Sequence, residues 1–129
     1  MKFLQAILRF ERHLKGIEKL KGENLSDYLI YNTLAMECFQ GANALIEIGE
    51  QVVSRHRLGL PSSYAEVFLL LHKGGLLGEE ELGKARRLVF LRNLIAHEYH
   101  RMTEDELLEM ANLLIDMKEF VERMKKEVV

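Results

Sequence analysis

From Leu25 to Arg57 no proline interrupts the chain, and apolar side chains recur at helical spacing throughout. Ile30, Leu34, Cys38, Gly41, Leu45, Ile48 and Val52 share one helical face, and Leu29, Met36, Phe39, Ala42, Ile46 and Val53 widen it. An apolar face this broad must be covered from several sides. The segment therefore predicts a long central helix, with Asn24 as its N-cap, and a chain of 129 residues has room for little besides a bundle around it. A narrow polar stripe remains at Gln40, Asn43, Glu47 and Ser54. Gly41 and Gly49 weaken a helix, so close approach of a neighbouring helix is the expected reason for both.

The other segments follow the same period. Phe3, Ile7, Phe10, Leu14 and Ile17 form the stripe of a first helix from about Lys2 to Lys21, ended by Gly22. After the turn Gly59-Leu60-Pro61-Ser62, the capping box Ser63-Tyr64-Ala65-Glu66 opens a short third helix to about Lys73, stopped by Gly74-Gly75. A fourth helix is expected from Glu79 to Tyr99. A second capping box, Thr103-Glu104-Asp105-Glu106, opens a fifth that continues to about Glu127 with the stripe Met110, Leu114, Met117, Val121 and Met124. Leu, Glu, Lys, Arg, Ala and Met dominate, there is one proline, and no strand pattern, repeat or linker is visible. The expected architecture is all-α, an antiparallel four- to five-helix bundle forming a single domain over residues 1–129.

Several function classes recede on simple grounds. The single cysteine, Cys38, cannot form an internal disulfide and sits on the apolar face of the second helix, so an inert thiol in a reducing compartment is expected. Gln5, Arg9, Glu11 and Arg12 break up any signal-peptide core, and the longest apolar run, Val67 to Leu71, is too short for a bilayer. A cytoplasmic protein that does not engage a membrane is the result. Gly74-Gly75-Leu76-Leu77-Gly78 lacks the strand and the Gly-Lys-Ser/Thr ending of a phosphate loop and reads as helix stop and restart. His97 and His100 are three apart, not the four of a zinc-protease helix, so neither metal nor cofactor is expected. Arg55-His56-Arg57 closes the second helix, where cations offset the helix dipole.

The net charge is −2 overall, but the segment Lys84–Arg101 holds Lys84, Arg86, Arg87, Arg92 and Arg101 against Glu98 alone, a local +4 that leaves −6 for the remainder. His97 and His100 lie in the same stretch. Such a patch suits a polyanion, and equally a solvated helix face. Arg92 and Tyr99 are seven apart and so nearly on one face, whereas Arg92 and His97, five apart, stand roughly 140° apart around a straight helix. They converge if the helix bends, or if a second copy supplies its own pair across a two-fold axis. A histidine can take and give a proton near neutrality, and an arginine holds phosphate oxygens. Together they suffice for RNA cleavage without a metal: the ribose 2′-hydroxyl loses its proton, attacks the adjacent phosphorus, and Arg stabilises the developing charge. The residues by themselves leave structural roles open.

Arg92-Asn93-Leu94-Ile95-Ala96-His97-Glu98-Tyr99 resembles the Arg-x-x-x-x-His signature of the HEPN superfamily, and the Tyr two residues past His resembles its HepT branch, the toxins of HepT/MntA toxin–antitoxin pairs. The long second helix with Glu47-Ile48-Gly49-Glu50, the turn and helix from Leu60 to Phe68, and the amphipathic closing helix extend the likeness to nearly the whole chain. The resemblance implies a HEPN-like homodimer and a metal-independent endoribonuclease toxin that acts on RNA. Arg92 and His97 would be catalytic, with Asn93 in support. Tyr99 would be the residue modified with AMP by a cognate MntA-like nucleotidyltransferase antitoxin. Lys84, Arg86, Arg87, His100 and Arg101 are the candidates for RNA binding. The competing expectation is a non-catalytic helical module that binds nucleotide or supports a partner nucleotidyltransferase.

Overall fold

The computed structural model describes residues 2–128. The expected domain's end positions, 1 and 129, lie outside the described residues. In order come α1 (Lys2–Leu20), α2 (Tyr28–Arg55), α3 (Tyr64–Lys73), α4 (Glu79–Glu98), a 3₁₀ turn at Tyr99–Arg101, α5 (Glu104–Asp116) and α6 (Lys118–Val128), with no strand among the described residues. The fold is all-α, a bundle around α2, which touches all five other helices.

The core is built from the stripes read in the sequence. Phe3, Ile7, Phe10, Leu14 and Ile17 of α1 are buried, as are Leu34, Cys38, Leu45, Ile48 and Val52 of α2 and the whole row Met110, Leu114, Met117, Val121 and Met124. Two apolar residues expected on the covered face of α2 are not covered: Leu29 is 72% exposed and Met36 53%. The N-terminal third of α2 is left bare on that flank, facing an open groove beside Tyr99.

The caps correct several boundaries. Asn24 is not the N-cap of α2. Its side chain accepts from Ser26 N at 3.0 Å and closes a local turn. Asp27 caps instead, its Oδ1 accepting from Leu29 N and Ile30 N at 2.9 and 3.2 Å, where a carboxylate also meets the positive end of the helix dipole. Ser63 and Thr103 cap α3 and α5 as expected, Thr103 in a complete capping box with Glu106. Gly74-Gly75 and Gly78 act as helix stop and restart, Gly75 adopting φ 79°. α4 ends one residue early, where Glu98 leaves helical geometry at φ −145°, ψ 51°. The expected fifth helix divides at Met117, whose ψ of −2° closes α5 before α6 resumes the same buried stripe.

The two α2 glycines separate on space. A Cβ on Gly49 would lie 2.8 Å from Cγ1 of buried Val67, so α3 packs directly on that backbone. On Gly41 the nearest atom would be Ile17 Cδ1 at 3.5 Å, an ordinary contact, so the close approach expected there is not needed. Gly41→Ala is therefore expected to stabilise the protein by about 0.5–1 kcal/mol through helix propensity. Gly49→Ala is expected to destabilise it by about 1 kcal/mol, the propensity gain being outweighed by overpacking. Urea midpoints at constant m-value measure both.

Candidate functional site

Arg92 lies on the second turn from the end of α4 and is held on several sides. Its Nε donates to Asn43 Oδ1 at 2.8 Å, and its Nη1 donates to Asn93 Oδ1 at 3.0 Å. Its guanidinium carbon lies 5.1 Å from the centre of the Phe39 ring and 5.0 Å from that of Tyr64. The sequence places these partners by period and cap. Phe39 and Asn43 are four apart on one face of α2, and Tyr64 opens α3 immediately after the capping Ser63. Two ring faces and two amide oxygens leave the planar cation little rotational freedom. Of the five N–H donors that a guanidinium carries, those not given to the asparagines remain for an anion.

Arg92, Asn93 and His97 line one groove of about 700 Å³, closed on its far side by Glu50, Ser63 and Tyr64. Arg92 and His97 thus share a groove within one chain, despite their offset around the helix. Asn93, one turn before His97, accepts from Arg92 Nη1. His97 and Asn93 also line a second groove of about 450 Å³, with Phe90, Glu98, Arg101 and Glu106 on its walls. His97 is exposed on the ridge between the two. Burial, and then the nearby Glu47, hold the carboxyl of Glu50 above the usual carboxylate range.

Tyr99 does not enter either groove. It begins the 3₁₀ turn, and its hydroxyl donates to Asn32 Oδ1. Its ring lies 6.1 Å from that of Tyr31 at 40°. It lines a third depression, of about 380 Å³, with Met36, Phe39 and Ile95. Burial first and Tyr28 second push its phenol above the ordinary tyrosine value.

The five basic candidates scatter. Lys84 pairs with Asp116 at 3.1 Å and Glu80 at 3.9 Å. Arg87 makes a bidentate pair with Glu109 at 2.8 and 2.9 Å, and Arg101 pairs with Glu98 at 3.2 Å. Acids from α5 and from α4 itself thus offset much of the +4 read from the segment. Arg86 and His100 are exposed and form no ion pair among the described residues. No group of three or more His, Cys, Asp or Glu side chains suited to a metal ion occurs among the described residues. Cys38 is buried and its thiol pushed well up by desolvation. No helix of the described residues is long and apolar enough to cross a membrane.

Sequence reading missed Phe39, Tyr64 and Glu50 as neighbours of the motif. Asn43 belongs to the narrow polar stripe of α2, and nothing local says that its partner lies forty-nine residues on in Arg92.

Known proteins share this fold. An mRNA nuclease HepT of Shewanella oneidensis is 23% identical over 128 residues, spanning 96% of each chain. The solved structure of a tri-AMPylated Shewanella oneidensis HEPN toxin in complex with MNT antitoxin superposes at a TM-score of 0.87, with 22% identity over 96% of each chain. A cytosolic protein of unknown function, YutE from Bacillus subtilis, has the same fold at a TM-score of 0.76 with 14% identity, over 92% of this chain and 87% of that one. The profile of the family described as Ribonuclease HepT-like matches residues 3–124, and the chain belongs to that HepT-like ribonuclease family.

Proposed function

We propose that the protein is a metal-independent endoribonuclease toxin of a toxin–antitoxin pair, with Arg92 and His97 as its catalytic residues and Asn93 as a positioning residue. The observation that carries this is the immobilised Arg92 guanidinium sharing a groove with the exposed imidazole of His97. In the proposed reaction His97 takes the proton of a ribose 2′-hydroxyl. The freed oxygen attacks the adjacent phosphorus, and the bond to the 5′-oxygen of the following nucleotide breaks. That oxygen takes up a proton, leaving a 2′,3′-cyclic phosphate and a new 5′-hydroxyl end. Arg92 meets the extra negative charge on the phosphoryl oxygens with donors already in place, so little reorganisation accompanies the step. DNA lacks the nucleophile and is not a substrate.

His97→Ala and Arg92→Ala are each expected to lower RNA cleavage by about 10²–10⁴-fold, with helical content by circular dichroism unchanged for His97→Ala. Cleavage is expected to persist in chelator and to weaken with salt, as phosphate binding does. Turnover that survives His97→Ala, or that requires Mg²⁺, refutes the reaction. Partner binding that outlives both variants without any wild-type turnover favours a non-catalytic module.

Tyr99 is the proposed modification point. Its phenol would attack the α-phosphorus of ATP bound to an MntA-like nucleotidyltransferase antitoxin, with pyrophosphate leaving and the phenolic proton passing to a base of that enzyme. Support comes from the tri-AMPylated Shewanella relative and from the position of Tyr99 at the mouth of an open depression. The Tyr99 hydroxyl must first leave Asn32. Co-expression with a cognate MntA-like nucleotidyltransferase is expected to add one or more AMP units at Tyr99 by peptide mass spectrometry, and none in Tyr99→Phe. An inhibited but unmodified protein points to steric occlusion instead.

A homodimer and a cytoplasmic location complete the proposal. The bare apolar flank of α2, with Leu29 and Met36 exposed, supports the first, and the description of the Bacillus relative as cytosolic supports the second. Light scattering at micromolar concentration is expected to give twice the chain mass; a monomer throughout the accessible range overturns the dimer.

A further inference from the structure

We infer that the groove on the Phe90 side of His97 is a nucleobase subsite for single-stranded RNA, with Phe90 as its stacking platform. The inference rests on the ribonuclease reading of the same site and specifies how its substrate lies.

Phe90 is 54% exposed on α4, although its neighbours at Leu88, Val89 and Leu91 are buried. It is seven residues before His97, hence two turns away on the same helical face, and both line the second groove. The guanidinium of Arg87 lies 5.2 Å from its ring centre and is fixed from the other side by its bidentate pair with Glu109. The ring is thus held by a clamped cation yet leaves much of its surface to solvent, the arrangement of a stacking platform and not of a core residue.

The groove offers a base hydrogen-bond acceptors: Glu98 and Glu106 stand on its walls, with Arg101 and His97 beside them. Glu98 is partly offset by Arg101, and Glu106 Oε1 already accepts from Thr103 N and Oγ1. Carboxylates repel a phosphate but accept from the exocyclic amino groups of adenine, guanine or cytosine. The Arg92 groove offers a fixed guanidinium with open donors, facing one carboxyl, Glu50. A strand crossing the ridge at His97 therefore lays its scissile phosphate toward Arg92 and an adjacent base over Phe90. Only an unpaired base can splay out onto such a platform, which makes the substrate single-stranded.

The sequence contains no tryptophan, so Phe90→Trp introduces a lone indole at the proposed platform. A single-stranded 2′-O-methyl oligoribonucleotide serves as the probe, since its attacking hydroxyl is blocked. Its binding is expected to quench the indole with the midpoint found by anisotropy of the labelled strand. An abasic strand of equal length is expected to bind without quenching. Phe90→Ala, checked for helical content, is expected to weaken binding by roughly tenfold, as loss of one stacked base does, and Phe90→Tyr to restore it. Binding seen by anisotropy with indole emission unchanged overturns the inference and leaves the ribonuclease reading intact. Emission that shifts with protein concentration in the absence of RNA shows Phe90 covered by a second copy, which also overturns it. Wild-type protein that neither binds nor cuts RNA removes the ribonuclease reading itself.

Discussion

Burial of α2 is the constraint on which the rest of the molecule depends. It carries more buried residues than any other helix, and each large one contributes about 1.5–3 kcal/mol when fully withdrawn from water. Asn43, on the polar stripe beside the apolar face of α2, is half-buried. Its amide oxygen is tolerable there because Arg92 reaches across from α4 to satisfy it, and leaving such an acceptor unpaired costs about 1–3 kcal/mol. The hydrogen bond that stations Arg92 over the groove is thus also part of what joins α2 to α4. Function and packing meet in one contact.

The helices and their stripes were legible because they are local: period, cap and breaker are written in consecutive residues. Ser63, Thr103 and the row from Met110 to Met124 behave as their spacing implies. What was not legible is competition between neighbours and contact at long range. Asn24 and Asp27 are both good caps, and only the competing turn at Ser26 decides between them. Leu29 and Met36 satisfy the apolar period, yet whether another helix covers them is a property of the bundle, not of the stretch. The +4 segment is real in sequence and much reduced in space, because Asp116 and Glu109 arrive from α5. Arg92, Asn93 and His97 stand out in the sequence, but the aromatic and amide socket around Arg92 comes largely from two other stretches of chain, α2 and the start of α3.

The contrast between the two motif residues fits what each would have to do. A group that stabilises developing charge is most effective when its donors are fixed before the reaction, and Arg92 is fixed by four separate contacts. A group that shuttles a proton needs access to its substrate and to solvent, and His97 stands exposed on a ridge. Glu50, across the same groove, keeps a carboxyl whose pKa burial raises.

Tyr99 and Arg92 occupy different depressions, and Phe39 is the wall between them: one ring lines the Tyr99 depression and carries the Arg92 guanidinium. This separation bears on how an AMP on Tyr99 would silence the groove. An adduct confined to its own depression would leave Arg92 and His97 open. An adduct that displaces Phe39 would loosen the socket, and one whose phosphate reaches past the ring would pair with Arg92. A chain of several AMP units extends that reach and adds a negative charge with each phosphate, so successive additions act on the second route while the first is complete after one. A neutralisation that deepens with each added AMP therefore belongs to phosphate capture by Arg92, and one that is full at the first belongs to the Phe39 wall.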